Sequence, residues 1–229
     1  FDPIRGKATG IYVAPRTRFD KQHEFDAEAR HLVLLCENEE GYRNLSYLVS
    51  AAWTEGFYIK PRIDWPLLYE HTEGLVCLSG CLAGDIPQKI VSGRYDEARS
   101  RALELREAFG EDFYLEIQRH GIPDEDAAAR GLIRIHEETG IPLALTNDAH
   151  YIDKGDAYYQ DVLMCIQTGK TVNQASRMRF ETQEFYLKSE DEMRRVFPEY
   201  ADAIERTEEV AKRCHVDFVF GETKLPRFP

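Results

Sequence analysis

The run "RHLVLLC" at residues 30–36 opens a rhythm that restricts the fold more than anything else in the sequence. Five consecutive apolar positions, Leu32 to Cys36, are the pattern of a strand buried on both faces. Helical spacing follows in "ENEEGYRNLSYLVSAAWTEG", where Tyr42, Leu45, Leu48, Val49 and Ala52 recur at three- and four-residue steps and Gly56 supplies a stop. The same alternation returns three times. "GLVCLSG" precedes two short helical patterns that end at Phe109, "DFYLEIQ" precedes "PDEDAAARGLIRIHEETG", and "IPLALT" leads into a loop carrying Asp148 and His150. The helix from Pro123 is the best signalled: proline opens it, Asp124, Glu125 and Asp126 complement its positive end, and Gly140 follows its last turn. Alternating β and α units of this length predict an α/β fold with a parallel sheet covered by helices, either a barrel or an open doubly wound sheet. In both, function collects at the carboxyl ends of the strands.

Beyond residue 154 the pattern turns helical through "DAYYQDVLMCIQTG", extended at "FETQEFYLK", and helical again to Cys214. This predicts a mostly helical extension over 155–220 appended to a β/α portion at 11–154. Residues 221–229, with two prolines and little periodicity, are expected to be a linker. The opening "FDPIRGKATG", residues 1–10, shows neither periodicity nor a cap and is expected to be a scar or fragment start. At 229 residues and 43% hydrophobic, the chain can bury a full core without disulfides. Its net charge of −12 argues against gripping nucleic acid unaided. Five scattered cysteines fit a reducing compartment, and with no apolar run long enough to span a bilayer and no leader pattern, a cytoplasmic location is expected.

Asp148 and His150 are one residue apart at a strand end, so an extended backbone would turn both side chains to one point, where a metal ion could sit. The same "TNDAH" also reads as a turn in which Asn147 or Asp148 caps the next element. Cys81 lies in a tight loop between Gly80 and Gly84 at another carboxyl strand end, and zinc accepts thiolate, imidazole and carboxylate together. A buried, inert thiol is the alternative. His31 begins the most apolar strand, the wrong end for a ligand in a parallel sheet. Glu116, Gln118 and His120 alternate with apolar positions, so a polar stripe runs along one strand face as candidate cavity lining or as partners of a helix cap. There is no Gly-rich phosphate loop, no G-x-S-x-G elbow and no Cys-x-x-Cys pair.

Taken in order, "RHLVLLCENEEGYRNLSYLVSAAWTEGFYIKPRID", "GLVCLSGCLAGDIPQ", "FYLEIQRHGIPDE", "IPLALTNDAHYI", "DVLMCIQTGKTV", "MRFETQEFYLKSEDEM" and "VAKRCHV" resemble the PHP (polymerase and histidinol phosphatase) domain of bacterial replicative DNA polymerases, the alpha subunits of DNA polymerase III. The resemblance runs from about Ile11 to Pro229. It implies a distorted β/α barrel, here partial, that binds divalent metals, zinc or manganese, at the carboxyl ends of its strands, with magnesium serving the parent polymerase. In members with all ligands, the cluster supports 3′–5′ exonuclease proofreading by a metal-bound hydroxide. Matched position by position, His31, Cys81, Asp148 and His150 become expected metal ligands.

The departures are equally specific. The family's His-x-His pair, aspartate and Asp-His pair have no counterparts here, and Gly10 stands where the family has a metal-bridging glutamate before "VYVAP". The implied cluster is therefore incomplete, the expectation being about one ion at most, or none, and no nuclease activity. Expected partners are the rest of the polymerase subunit, DNA through that subunit, and other replication subunits, with no membrane. A module that braces the polymerase and docks a proofreading exonuclease is the competing expectation, and a stand-alone PHP phosphoesterase a more distant one. Self-association through unpaired strand edges is also expected.

Overall fold

The computed structural model describes residues 8–221 and Leu225. The expected scar at 1–10 and linker at 221–229 therefore fall largely outside the described residues. Five strands form one sheet in sequence order: β1 (Ala8–Val13), β2 (Arg30–Cys36), β3 (Leu75–Leu78), β4 (Phe113–Ile117) and β5 (Leu143–Leu145). Among the described residues the helices are α1 (His23–Asp26), α2 (Glu39–Thr54), α3 (Trp65–Tyr69), α4 (Asp85–Val91), α5 (Tyr95–Phe109), α6 (Pro123–Thr139), α7 (Ala157–Thr168), α8 (Glu190–Val196) and α9 (Ala201–Arg213). None is long and apolar enough to cross a membrane.

The sheet is mixed, which corrects the expectation of an all-parallel one. β3, β4 and β5 are parallel, but β2 runs antiparallel to both β1 and β3. The reversal comes from the chain between β2 and β3. After α2, residue Ile63 pairs with Val13, at the end of the sheet where β2 begins. The chain then returns through α3, and β3 starts beside the end of β2, with Leu75 opposite Cys36. One extra passage across the layer flips the next strand.

β2 is also not buried on both faces. Leu32, Leu34 and Cys36 are buried while His31, Val33 and Leu35 are half-buried, the alternation of a strand with one well-covered face. The covered face joins Ile11, Val13, Leu75, Cys77, Phe113, Leu115, Leu143 and Leu145 to the helices in the main core. The opposite face carries a small cluster of Val76, Leu78, Tyr114 and Ala144 under Val210 of α9. Strand alternation places Glu116 on this second face with Tyr114, and the cross-strand pair Tyr12 and His31 with Val33.

Local chemistry fixes the ends of these elements. Asn38 caps α2 by accepting the backbone N–H groups of Glu40 and Gly41, each at 3.0 Å. α2 starts so close to the entry of β3 that a Cβ on Gly41 would stand 1.8 Å from the Gly74 carbonyl oxygen. The helix expected from Pro123 is present, and Gly140 ends it with φ +71°, a left-handed cap that glycine adopts without strain. β1 is an element the sequence reading did not assign.

Candidate functional site

The antiparallel setting of β2 removes the objection to His31. Its start lies at the same sheet end as the carboxyl ends of β3, β4 and β5, and the His31 N–H donates to the Ala83 carbonyl in the loop after β3 at 3.1 Å. Cys81, in that loop, has its Sγ 3.6 Å from His31 Nδ1. Burial pushes the His31 imidazole down from its ordinary value, a shift that Asp148 opposes and Lys60 reinforces. Burial likewise pushes the Cys81 thiol up, with the charges of Asp148 and Glu116 adding to it. Asp148 thus lies within electrostatic reach of His31, Cys81 and Glu116 across the mouth of the sheet.

Asp148 itself sits at φ +42°, one of two non-glycine residues with positive φ among the described residues, the other being Ile59 at +63°. Its Oδ1 is 3.6 Å from His150 Nε2, and both side chains are substantially exposed. His150 rests against Phe180, ring centroids 4.8 Å apart, and its N–H donates to the Phe185 carbonyl at 2.8 Å. The four expected ligands are therefore gathered at one end of the sheet as two pairs, His31 with Cys81 half-buried and Asp148 with His150 exposed.

Beneath them lies the polar stripe, buried throughout: Glu116, Gln118 and His120. Glu116 ties three strand ends together. One carboxyl oxygen accepts the Gly80 N–H at 3.0 Å, and the other accepts Gln118 Nε2 at 3.0 Å and Thr146 Oγ1 at 2.5 Å. Burial raises its proton affinity, while the Thr146 bond opposes that. A cavity of about 20 Å³ touches Cys81, Glu116, Gln118 and Glu125, which is room for one water molecule.

The donor types, thiol, imidazole and carboxylate, suit a borderline divalent ion such as zinc. Their arrangement is less complete: among the described residues, no three His, Cys, Asp or Glu side chains are grouped closely enough to hold a metal ion. The residues fit in kind and in pairs, and closing a coordination sphere would require the exposed pair to move onto the buried one. Gly10 lines the site from β1. A Cβ there would fall 2.0 Å from His31 Nε2, so the imidazole occupies space that any side chain at position 10 would claim.

Sequence reasoning missed Lys60, whose ammonium lies 4.1 Å from the centre of the Tyr12 ring and near enough to His31 to disfavour its protonation. Asn147, which the sequence offers as a cap of the next element, instead anchors the turn before Asp148: its side chain donates to the Tyr186 carbonyl at 2.6 Å and accepts from Lys188 Nζ at 3.0 Å.

Comparison with known proteins finds extensive similarity along the chain. The chain is 45% identical over 208 residues to the DNA polymerase III subunit alpha of Treponema pallidum (strain Nichols), covering 90% of this chain and 18% of that protein. It is 41% identical over 226 residues to the same subunit of Thermus aquaticus, covering 95% of this chain and 18% of that protein. With the subunit of Deinococcus radiodurans the figures are 40% over 232 residues, 99% and 17%. The chain thus spans under a fifth of the length of these curated relatives. A family model described as the PHP domain matches residues 2–120, a span that includes Gly10, His31 and Cys81 and ends before the Asp148 turn. Since that match takes in four of the five strands and half of the expected ligands, the chain belongs to the PHP domain family.

Proposed function

We propose that this chain is the PHP module of a replicative DNA polymerase alpha subunit, its five-stranded sheet forming part of a distorted β/α barrel with the ligand-type residues at its mouth. The observation that carries the reading is identity of 40 to 45% to such subunits over 90 to 99% of the chain. In this reading nucleotidyl transfer belongs to the remainder of the polypeptide, which also holds the DNA. The net charge of −12 accords with that division of labour. The surroundings would be the bacterial cytoplasm, with other replication subunits as partners.

At the site itself, His31, Cys81, Asp148 and His150 would hold at most about one divalent ion, zinc or manganese, which when bound would supply Lewis acidity. The chain's own residues supply the frame: Glu116 locks the strand ends, and Asn147 fixes the turn that carries Asp148. With two pairs of donors and Gly10 in place of a bridging carboxylate, the site is read as a relative of metal-dependent 3′–5′ exonucleases without nuclease activity of its own. A second reading, a purely structural brace that docks a separate proofreading exonuclease, is favoured by the hydrogen-bonded frame, which needs no ion to stand.

Elemental analysis of the purified 229-residue chain separates the two. Up to about one zinc or manganese per chain, lost in Asp148→Ala, is expected of the metal-binding reading, and none in either protein supports the brace. Single-stranded DNA incubated with the chain and added Mn²⁺ or Zn²⁺ should remain intact. Robust metal-dependent cleavage would overturn both.

A further inference from the structure

His120 follows β4 at the same sheet end, and its ring is 1% exposed. It stacks flat on Phe185, with centroids 4.0 Å apart and planes 10° from parallel. Nδ1 lies 2.7 Å from Glu125 Oε1, and Nε2 lies 2.8 Å from the carbonyl oxygen of Asn147. The second Glu125 oxygen accepts the His120 backbone N–H at 2.7 Å.

Both ring nitrogens thus face acceptors. A backbone carbonyl has no proton to give, so Nε2 must donate to it. The contact to Glu125 then needs a second proton. Glu125 is the third residue of α6, beside the unpaired N–H groups of its first turn. That carboxylate already accepts a backbone N–H, so the proton belongs on the ring and the contact is charge-assisted. Other charges nearby are engaged elsewhere: Arg119 with Asp126 and the Val196 carbonyl, Lys188 with Asn147 Oδ1 and Glu184.

We propose that His120 and Glu125 form a two-proton clamp that fixes the Asn147 carbonyl and so holds Asp148 in its left-handed turn at the mouth of the sheet. The Asn147 side chain is tied independently to the Glu184 and Tyr186 carbonyls, so the residue before Asp148 is held by main chain and side chain alike. His120 is a positioning residue: it reaches the site through Asn147 and touches none of the four ligand-type side chains by hydrogen bond. The value of the clamp to the site rests on reading Asp148 as a metal donor; the clamp itself does not.

The test is nitrogen-detected NMR of the isotopically labelled, metal-free chain at neutral pH. Both ring nitrogens of His120 should be protonated. In Glu125→Gln the amide can donate where the carboxylate accepted, so Nδ1 should lose its proton while Nε2 keeps its own and the amide signals of Asp148 and His150 stay in place. His120→Phe preserves the stack on Phe185 but removes both bonds, and should shift those two amides while leaving β2 unchanged. An unprotonated ring nitrogen in the wild type overturns the proposal, as do unmoved Asp148 and His150 amides in a folded His120→Phe. If His120→Phe does not fold, the wild-type and Glu125→Gln nitrogen states decide alone. Zinc titration of the wild type tests the donor-set reading separately, because the clamp signals are read without metal.

Discussion

Replacing Gly10 by alanine should destabilise the protein through a single contact, and removing that contact should reverse the sign. The alanine Cβ would lie 2.0 Å from His31 Nε2, 3.0 Å from Cε1 and 3.1 Å from Cδ2. Comfortable carbon contacts begin at roughly 3.5 Å, so the imidazole must retreat by about 1.5 Å at its tip. Its way out is restricted, since the ring packs beside Tyr12 at 5.5 Å and Nδ1 faces the Cys81 sulfur at 3.6 Å. Overpacking of this kind costs roughly 1–3 kcal/mol. Against it stands the gain from replacing a strand-interior glycine, roughly 0.5–1 kcal/mol. The steric term wins, giving a net loss of about 1 kcal/mol. In a His31→Ala background the clash is gone and only the backbone gain is left, so the same Gly10→Ala should stabilise by about 0.5 kcal/mol. Urea unfolding of the four proteins in the double-mutant cycle measures the difference, an expected coupling of about 1–2 kcal/mol. Additivity within about 0.3–0.5 kcal/mol would refute the claim that the imidazole fills the space beside Gly10.

Other parts of the frame give two further expected outcomes. Arg62 is fully buried, and its guanidinium donates to the Gly56, Asp26 and Asp20 carbonyls at 3.1, 3.0 and 2.8 Å. Arg62→Met keeps the bulk but orphans these oxygens at ~1–3 kcal/mol each, so a total loss of about 3–5 kcal/mol is expected by urea denaturation, and a loss under about 1 kcal/mol would contradict it. Glu192 closes the capping box of α8: bonds from the Ser189 N–H first, then the Tyr186 hydroxyl and the Ser189 hydroxyl, hold its carboxyl down at about 2. Because the folded value lies below the ordinary ~4.3, this support is fully present above about pH 4.3 and fades as pH falls towards 2. Carboxyl carbon NMR should place the Glu192 midpoint well below those of the surface glutamates, and Ser189→Ala should raise it.

Much of the layout was legible because short-range rules were enough. Pro123 and Gly140 bracket α6, and the apolar runs mark β2 to β5, since each signal lies within the element it specifies. Strand direction was not legible. It depends on how many times the chain crosses the layer between β2 and β3, and the stretch from Phe57 to Gly74 carries the short α3 and isolated pairings of Tyr58 with Lys60 and Ile63 with Val13. None of these has a periodicity to read. The apolar run of β2 misled for a related reason. Val33 and Leu35 are hydrophobic yet half-buried, because they line the thinly covered face beside His31. β1 was missed since its glycine and its neighbours give no strand-like alternation, and its place is fixed by register to β2.

That reversal of β2 also decides how the ligand-type residues should be weighed. It delivers His31 to the end of the sheet where Cys81, Glu116 and Asp148 already lie, so residues far apart in sequence meet by topology alone. Proximity is therefore a consequence of the fold and not by itself a sign of an ion. What an ion would add is closure, because the half-buried His31–Cys81 pair and the exposed Asp148–His150 pair are held by different parts of the chain, one by β2 and the loop after β3, the other by Asn147 and His120. Each pair is supported without the other. A carboxylate side chain placed at position 10 would have to displace the His31 imidazole from the space beside Gly10. The four ligand-type side chains stay where hydrogen bonds and packing keep them, whether or not an ion links the two pairs.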